Sequence, residues 1–173
     1  MKEISEDLNK ENGPILAGIK ILFADMGISG AIGFIIGMVL GAAGMTGEQL
    51  QDPSSLIQNL GIIVGLLVSV YMAFLLYRSY SQDIKAFVAL LIAGLIFSAI
   101  HVYVNMSSTT PNLMRDLMAV IAQVVSYFVG WYAAKNTDLQ LFLPSRKWVI
   151  GFLVAGIVIA FFGVLGFVTV IFS

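Results

Sequence analysis

The chain has 173 residues, of which 59% are hydrophobic and 11% charged, with a mean hydropathy of +0.95 and a net charge of -1. Soluble domains carry about a quarter of their residues as charges, so this chain has too little polar surface to cover a water-exposed globule. The lack of cysteine excludes disulfides and thiolate metal sites, and the missing basic surplus argues against nucleic acid as a partner.

Residues 1–13 form a polar tail, and residues 14–173 read as a single transmembrane helical domain. The first apolar stretch, Pro14–Met45, is awkward. As one helix it would run for roughly 48 Å, too long for one upright crossing of a core about 30 Å thick and too short for two. It also contains Lys20 and Asp25, followed by Gly27, Ile28, Ser29 and Gly30, a sequence that weakens a helix. The expectation is an amphipathic, interfacial helix over Pro14–Met26 and a first span over Gly27–Met45, with one long tilted helix as the alternative. The run begins too late, after too acidic a tail, for a cleaved signal peptide, and is expected to belong to the mature protein.

Four further stretches have spanning length: Leu56–Tyr77, Ala86–Val104, Leu117–Ala134 and Trp148–Phe172. Pro53, Ser54 and Ser55 precede the second span, and Thr110, Pro111 and Asn112 precede the fourth, as helix starts do. The fold class is therefore an all-α integral membrane protein, a bundle of about five transmembrane helices with an N-terminal interfacial segment. Basic residues support the count. With a cytoplasmic N-terminus, Lys2, Lys10, Lys20, Arg78, Lys85, Lys135, Arg146 and Lys147 share one side, and only Arg115 lies on the other. The C-terminus is then on the outer side, and short loops without cysteine suggest a bacterial inner membrane. Tyr77, Tyr80, Tyr103, Trp131, Tyr132 and Trp148 fall near span ends, where amphipathic rings favour the interface. The glycosylation tripeptide from Asn105 to Ser107 lies too close to the bilayer to be expected in use.

Glycine is the informative residue inside the spans. Gly30, Gly33, Gly37, Gly41 and Gly44 lie in the first, with Gly33, Gly37 and Gly41 on one face; Gly61 and Gly65 repeat the device in the second, and Gly156, Gly163 and Gly166 lie in the last. Close backbone approach drives helix association in lipid, so Gly30, Gly33, Gly37, Gly41, Gly61, Gly65 and Gly163 are candidate packing positions. The Gly33–Gly41 ridge packs either within the chain, the favoured case, or against another subunit or a second copy.

Ionisable groups in a membrane are functional candidates by default. Asp25 is expected to be solvated beside an interfacial helix. His101 is expected to act as a hydrogen-bonding group near the outer interface, and Arg115 and Asp116 to anchor the start of the fourth span. Gln58, Asn59, Ser69, Ser98, Gln123 and Ser126 are the neutral polar groups at depth; Gln123 and Ser126 share a face, either lining a polar path or bonding between helices. No nucleotide-binding, metalloprotease or hydrolase motif occurs, and one histidine without cysteine or paired acids gives no catalytic constellation. No cofactor or metal is expected, and the chain is not expected to be an enzyme. The expected function is a non-catalytic subunit of a larger membrane complex, partnered by lipid and by other membrane subunits or its own copies. The alternative is a small self-assembling channel, pore or transporter.

Overall fold

The computed structural model describes residues 13–45, 56–106, 113–138 and 146–172, and the surroundings of side chains within 13–45, 61–106, 113–138 and 148–162. The polar tail before Gly13, the proposed helix starts at 53–55 and 110–112, Ser107, and the side chains of Gln58, Asn59, Gly163 and Gly166 lie outside these. The described residues form five α-helices: α1 (Pro14–Ala42), α2 (Leu56–Leu75), α3 (Ile84–Met106), α4 (Leu113–Asn136) and α5 (Arg146–Phe172). A single π turn, Leu76–Tyr80, extends α2. Among the described residues there is no strand, and four of the helices are long and apolar enough to cross a membrane. The described part of α5 is apolar as well. Large apolar side chains point outward on every helix, Phe34 being 67% exposed. Each such chain would forfeit about 1.5–3 kcal/mol in water, and the surface is therefore suited to lipid.

The ends of the helices follow from local chemistry. Pro14 opens α1 at a position where its missing N–H costs no hydrogen bond. Gly44, at φ 85°, closes it: Gly44 N donates to Gly41 O and Met45 N to Leu40 O, the paired bonds of a Schellman cap. Gly44 is thus a helix stop, a role that favours glycine because of its left-handed backbone. Asp83 caps α3, its carboxylate accepting from Lys85 N at 2.9 Å. In α4, Asp116 sits in the first turn and Lys135 in the last, both favourable to the helix dipole.

One expectation is overturned. Pro14–Ala42 is a single continuous helix of 29 residues, roughly 43 Å long, with no break after Met26 and no separate interfacial segment. The glycines that suggested a break serve packing instead. A Cβ on Gly27 would collide with Phe152 O and stand 2.9 Å from Gly156 N, and a Cβ on Gly156 would collide with Phe23 O. At this crossing the backbones of α1 and α5 touch.

α1 packs on α2, α3 and α5, and α4 closes a ring of four by packing on α2 and α3. Residue pairs fix the directions. Gly18 meets Ala86 and Leu90 while Phe23 meets Phe97, so α1 and α3 run parallel. Ser98 meets Gln123 while Phe87 meets Phe128 and Trp131, so α3 and α4 run antiparallel. Gly18 against α3 and Gly130 against Val70 of α2 give further close backbone approaches. The core of the ring gathers Ile21, Leu22, Met72, Leu75, Leu76, Phe87, Leu90, Tyr127 and Trp131. Trp131, in the last part of α4, faces the bundle: it is 9% exposed, stacked on Phe87 and edge-on to Tyr77, each at 4.8 Å between ring centroids.

Candidate functional site

Asp25 is 3% exposed and lies inside the ring. The expectation of a solvated carboxylate fails with the interfacial helix on which it rested: in one continuous α1, Asp25 stands only about three residues from the midpoint of the helix. Burial of an isolated carboxylate is costly, so the surrounding groups decide what the site is. Tyr127 OH donates to Asp25 Oδ2 at 2.6 Å and Ser69 Oγ donates to the same oxygen at 2.9 Å. Ser29, one turn along α1, adds a longer contact to Oδ1 at 3.4 Å. Three helices thus supply the carboxylate and its two close donors, all nearly buried.

A second tier supports the first. Gln123 Nε2 donates to Tyr127 OH at 3.0 Å, and Ser98 Oγ of α3 donates to Gln123 Oε1 at 3.1 Å. The donors run in one direction, from Ser98 through Gln123 and Tyr127 into Asp25. Both close hydroxyls converge on Oδ2, which accepts from them in either the ionised or the neutral form of the acid. The partners are all neutral. Lys20, five residues earlier on α1, is about 140° around the helix and roughly 7.5 Å along it. Ser69, Ser98, Gln123 and Tyr127 each lie within about three residues of the midpoint of their helix, so the network forms one layer at mid-depth.

No family model, curated protein or solved structure matches the chain. Its chemistry has to be read from the residues themselves.

The structure brings Asp25 and Gln123 into one network and leaves the other ionisable candidates outside it. His101 is exposed on α3, its Nε2 3.0 Å from Asn105 Nδ2. Arg115 and Asp116 are half-buried in the first turn of α4, two turns before Gln123. Ser126 is buried beside Tyr127, but Gln123 bonds to Tyr127 at i+4 and to Ser98. Among the packing candidates, Gly30 sits against Ile159 of α5. Gly33, Gly37, Gly41, Gly61 and Gly65 have nothing within 4 Å of an added Cβ among the described residues, and Gly163 lies outside those described.

Tyr127 is the residue that sequence reading passed over. A tyrosine far from either span end, four residues after a glutamine, is a signal: a buried phenol needs a partner for its hydroxyl. Ser29 was likewise hidden by the supposed helix break.

Proposed function

We propose that this chain is a five-span, non-catalytic membrane subunit of an ion-coupled transport assembly, with Asp25 as the group that carries the ion. The observation that supports this most directly is the carboxylate itself, buried at mid-depth with only neutral hydroxyls as partners. A charge at that depth is expensive, and a structural role would be served by a neutral side chain at lower cost. A carboxylate that alternates between a neutral, ion-loaded form and a charged form held by Tyr127 and Ser69 uses both features. The ion is a monovalent cation, the proton included.

The test is thermal unfolding of the full chain in phosphatidylcholine/phosphatidylglycerol nanodiscs, across Na+, K+ and Li+ concentrations and across pH. Binding to the folded state alone raises the midpoint with ligand concentration. The midpoint is expected to move with one of these cations, and the dependence to vanish in Asp25→Asn. Indifference of the parent protein to all of them would end the ion-site reading.

The subunit part of the proposal draws on α1. Gly18, Gly27, Gly130 and Gly156 meet the backbone of another helix, while Gly30 and Gly94 meet side chains. Gly33 and Gly41 are exposed on the far half of α1, with Gly37 between them on the same face. We assign that face to another membrane subunit or a second copy, since small-residue faces suit close helix pairing in lipid. Gentle extraction, sizing and mass spectrometry would reveal partners in fixed ratio or a discrete oligomer. A chain travelling alone as a monomer would overturn this part. The basic residues favour a cytoplasmic N-terminus and an outer C-terminus in a bacterial inner membrane, and a C-terminal reporter should accordingly read outside.

A further inference from the structure

The bundle is tight on one side of Asp25 and loose on the other. Toward the end where α1 begins, the ring is filled by buried Ile21, Leu22, Met72, Leu75, Leu76, Phe87 and Leu90, with Trp131 beside them. Toward the end where α1 and α3 finish, no described residue of the ring helices within 28–45, 61–68, 95–106 or 113–125 is buried. Ser98 and Gln123, both half-buried, stand on this loose side or level with the carboxylate. His101 and Asn105 continue the polar face of α3 outward, one and two turns beyond Ser98. Polar groups thus lie between Asp25 and the end where α1 and α3 finish, and on its other side stands a mainly apolar buried layer flanked by the half-buried Tyr71, Tyr77 and Tyr80.

We infer that Asp25 is a proton-binding site reached from the outer side alone, along the wall formed by Ser98, Gln123 and Tyr127. The inference rests on the ion-site reading above and adds to it the identity of the ion and its side of entry. A proton suits the site better than a metal cation. The donors already in place satisfy the carboxylate with O–H groups, and the two close ones, Tyr127 and Ser69, converge on Oδ2, where a metal ion would have to displace them. The step is balanced: a hydronium ion from the outer side gives its proton to the carboxylate, leaving water and a neutral carboxylic acid. The new O–H then needs an acceptor, and the hydroxyl of Ser69 reverses to supply one, since a hydroxyl both donates and accepts.

The groups around Asp25 are Tyr127 from α4, Ser69 from α2 and Ser29 on α1 itself. α3 and α5 meet this stretch of α1 through Gly94, Phe97, Phe152 and Gly156, none of which titrates or carries charge. Among the described residues that touch Asp25, Tyr127 is the titratable one, with Tyr71 on α2 and Lys20 on α1 the next along their helices, and the carboxylate is much the strongest acid of these in ordinary surroundings.

The experiment uses the full chain in phosphatidylcholine/phosphatidylglycerol vesicles, with pH set independently on the two sides. A lipid-soluble carbodiimide reports protonation, because the carboxylic acid adds across one C=N bond, its proton going to nitrogen and its oxygen to carbon, and the acyl group then shifts from that oxygen to nitrogen, leaving a stable N-acylurea mass tag on Asp25. The chain has no cysteine, so Leu113→Cys, labelled by an impermeant maleimide, reports orientation. Tagging of Asp25 is expected to rise up to about tenfold per unit fall of pH on the Leu113 side, to ignore pH on the Pro14 side, and to vanish in Asp25→Asn. Tagging that follows the Pro14 side, or both sides equally, would overturn one-sided access. Tagging indifferent to pH on either side would overturn the proton, and the nanodisc titration against Na+, K+ and Li+ would then show whether the ion site itself survives. Gln123→Leu should slow the response to outer pH at least about tenfold, and an unchanged rate would remove this wall as the route. If Gln123→Leu does not fold, as judged by sizing, Ser98→Ala is read in its place by the same criterion.

Discussion

The hydroxyl of Tyr127 stands 2.6 Å from Oδ2 of Asp25, joining residues 102 positions apart in the chain. The bond ties α4 to α1 and lies at the short end of the range for O–H···O bonds. Tyr127→Phe keeps the ring in the core and removes only this donor. It should destabilise the fold by roughly 1–3 kcal/mol, the cost of leaving a buried acceptor short of a partner. The effect should shrink when the change is made in an Asp25→Asn background, because the two residues share one interaction. Equal losses in both backgrounds, measured by unfolding in nanodiscs, would show that the bond carries no coupling.

Two glycine substitutions separate internal packing from assembly. Gly156→Ala would drive a methyl into Phe23 O and should cost about 1–3 kcal/mol by forcing α5 from α1. Gly37→Leu meets only open space among the described residues and should leave monomer stability unchanged. Size measurements in mild detergent should, however, show the complex lost. If Gly156→Ala is harmless, the α1–α5 crossing is not as close as described; if Gly37→Leu leaves the complex intact, the partner lies elsewhere.

The guanidinium of Arg78 donates to Thr137 O beyond the end of α4 and lies 5.6 Å from the centre of the Phe74 ring. Because Arg78 is exposed, Arg78→Ala should cost only about 1 kcal/mol. The change should appear locally, as faster amide exchange over the last turn of α4, with the Asp25 layer unaffected. Exchange that rises across the whole ring would mean that this end governs the bundle.

Gly44→Ala tests the C-terminal cap of α1. A Cβ at φ 85° should cost about 1 kcal/mol and fray the last turn, without disturbing Asp25, some 19 residues away. Unchanged exchange at Leu40 and Gly41 would argue that the cap is not needed to end the helix.

Composition and apolar length made legible an all-helical fold with four helices long and apolar enough to cross a membrane. What sequence could not resolve was the meaning of residues 25–30. An acid followed by two glycines and a serine reads locally as a break, since each of these weakens an isolated helix. The break is cancelled by tertiary partners: Phe152 and Gly156 fill the space at Gly27, and Ser69 and Tyr127 replace the water that Asp25 would otherwise require. Neither partner is visible from within the segment. Gln123 was legible as polar at depth, but its link to Tyr127 and Ser98 needed the antiparallel register of α3 and α4.

The pairing of α1 with α5 bears on how the molecule is made. α1 shares its most extensive interface with the last of the five helices to leave the ribosome. The layer around Asp25 draws on α1, α2, α3 and α4, so its hydrogen bonds are available once α4 has entered the bilayer. Until then the acid of α1 must wait in lipid or in the insertion machinery without its tyrosine. Gly27 waits longer, bare until Gly156 arrives. If the helices pack in the order of synthesis, the polar centre is complete before its supporting helix is clamped, and a chain halted before α5 would carry an assembled Asp25 layer on an unclamped α1.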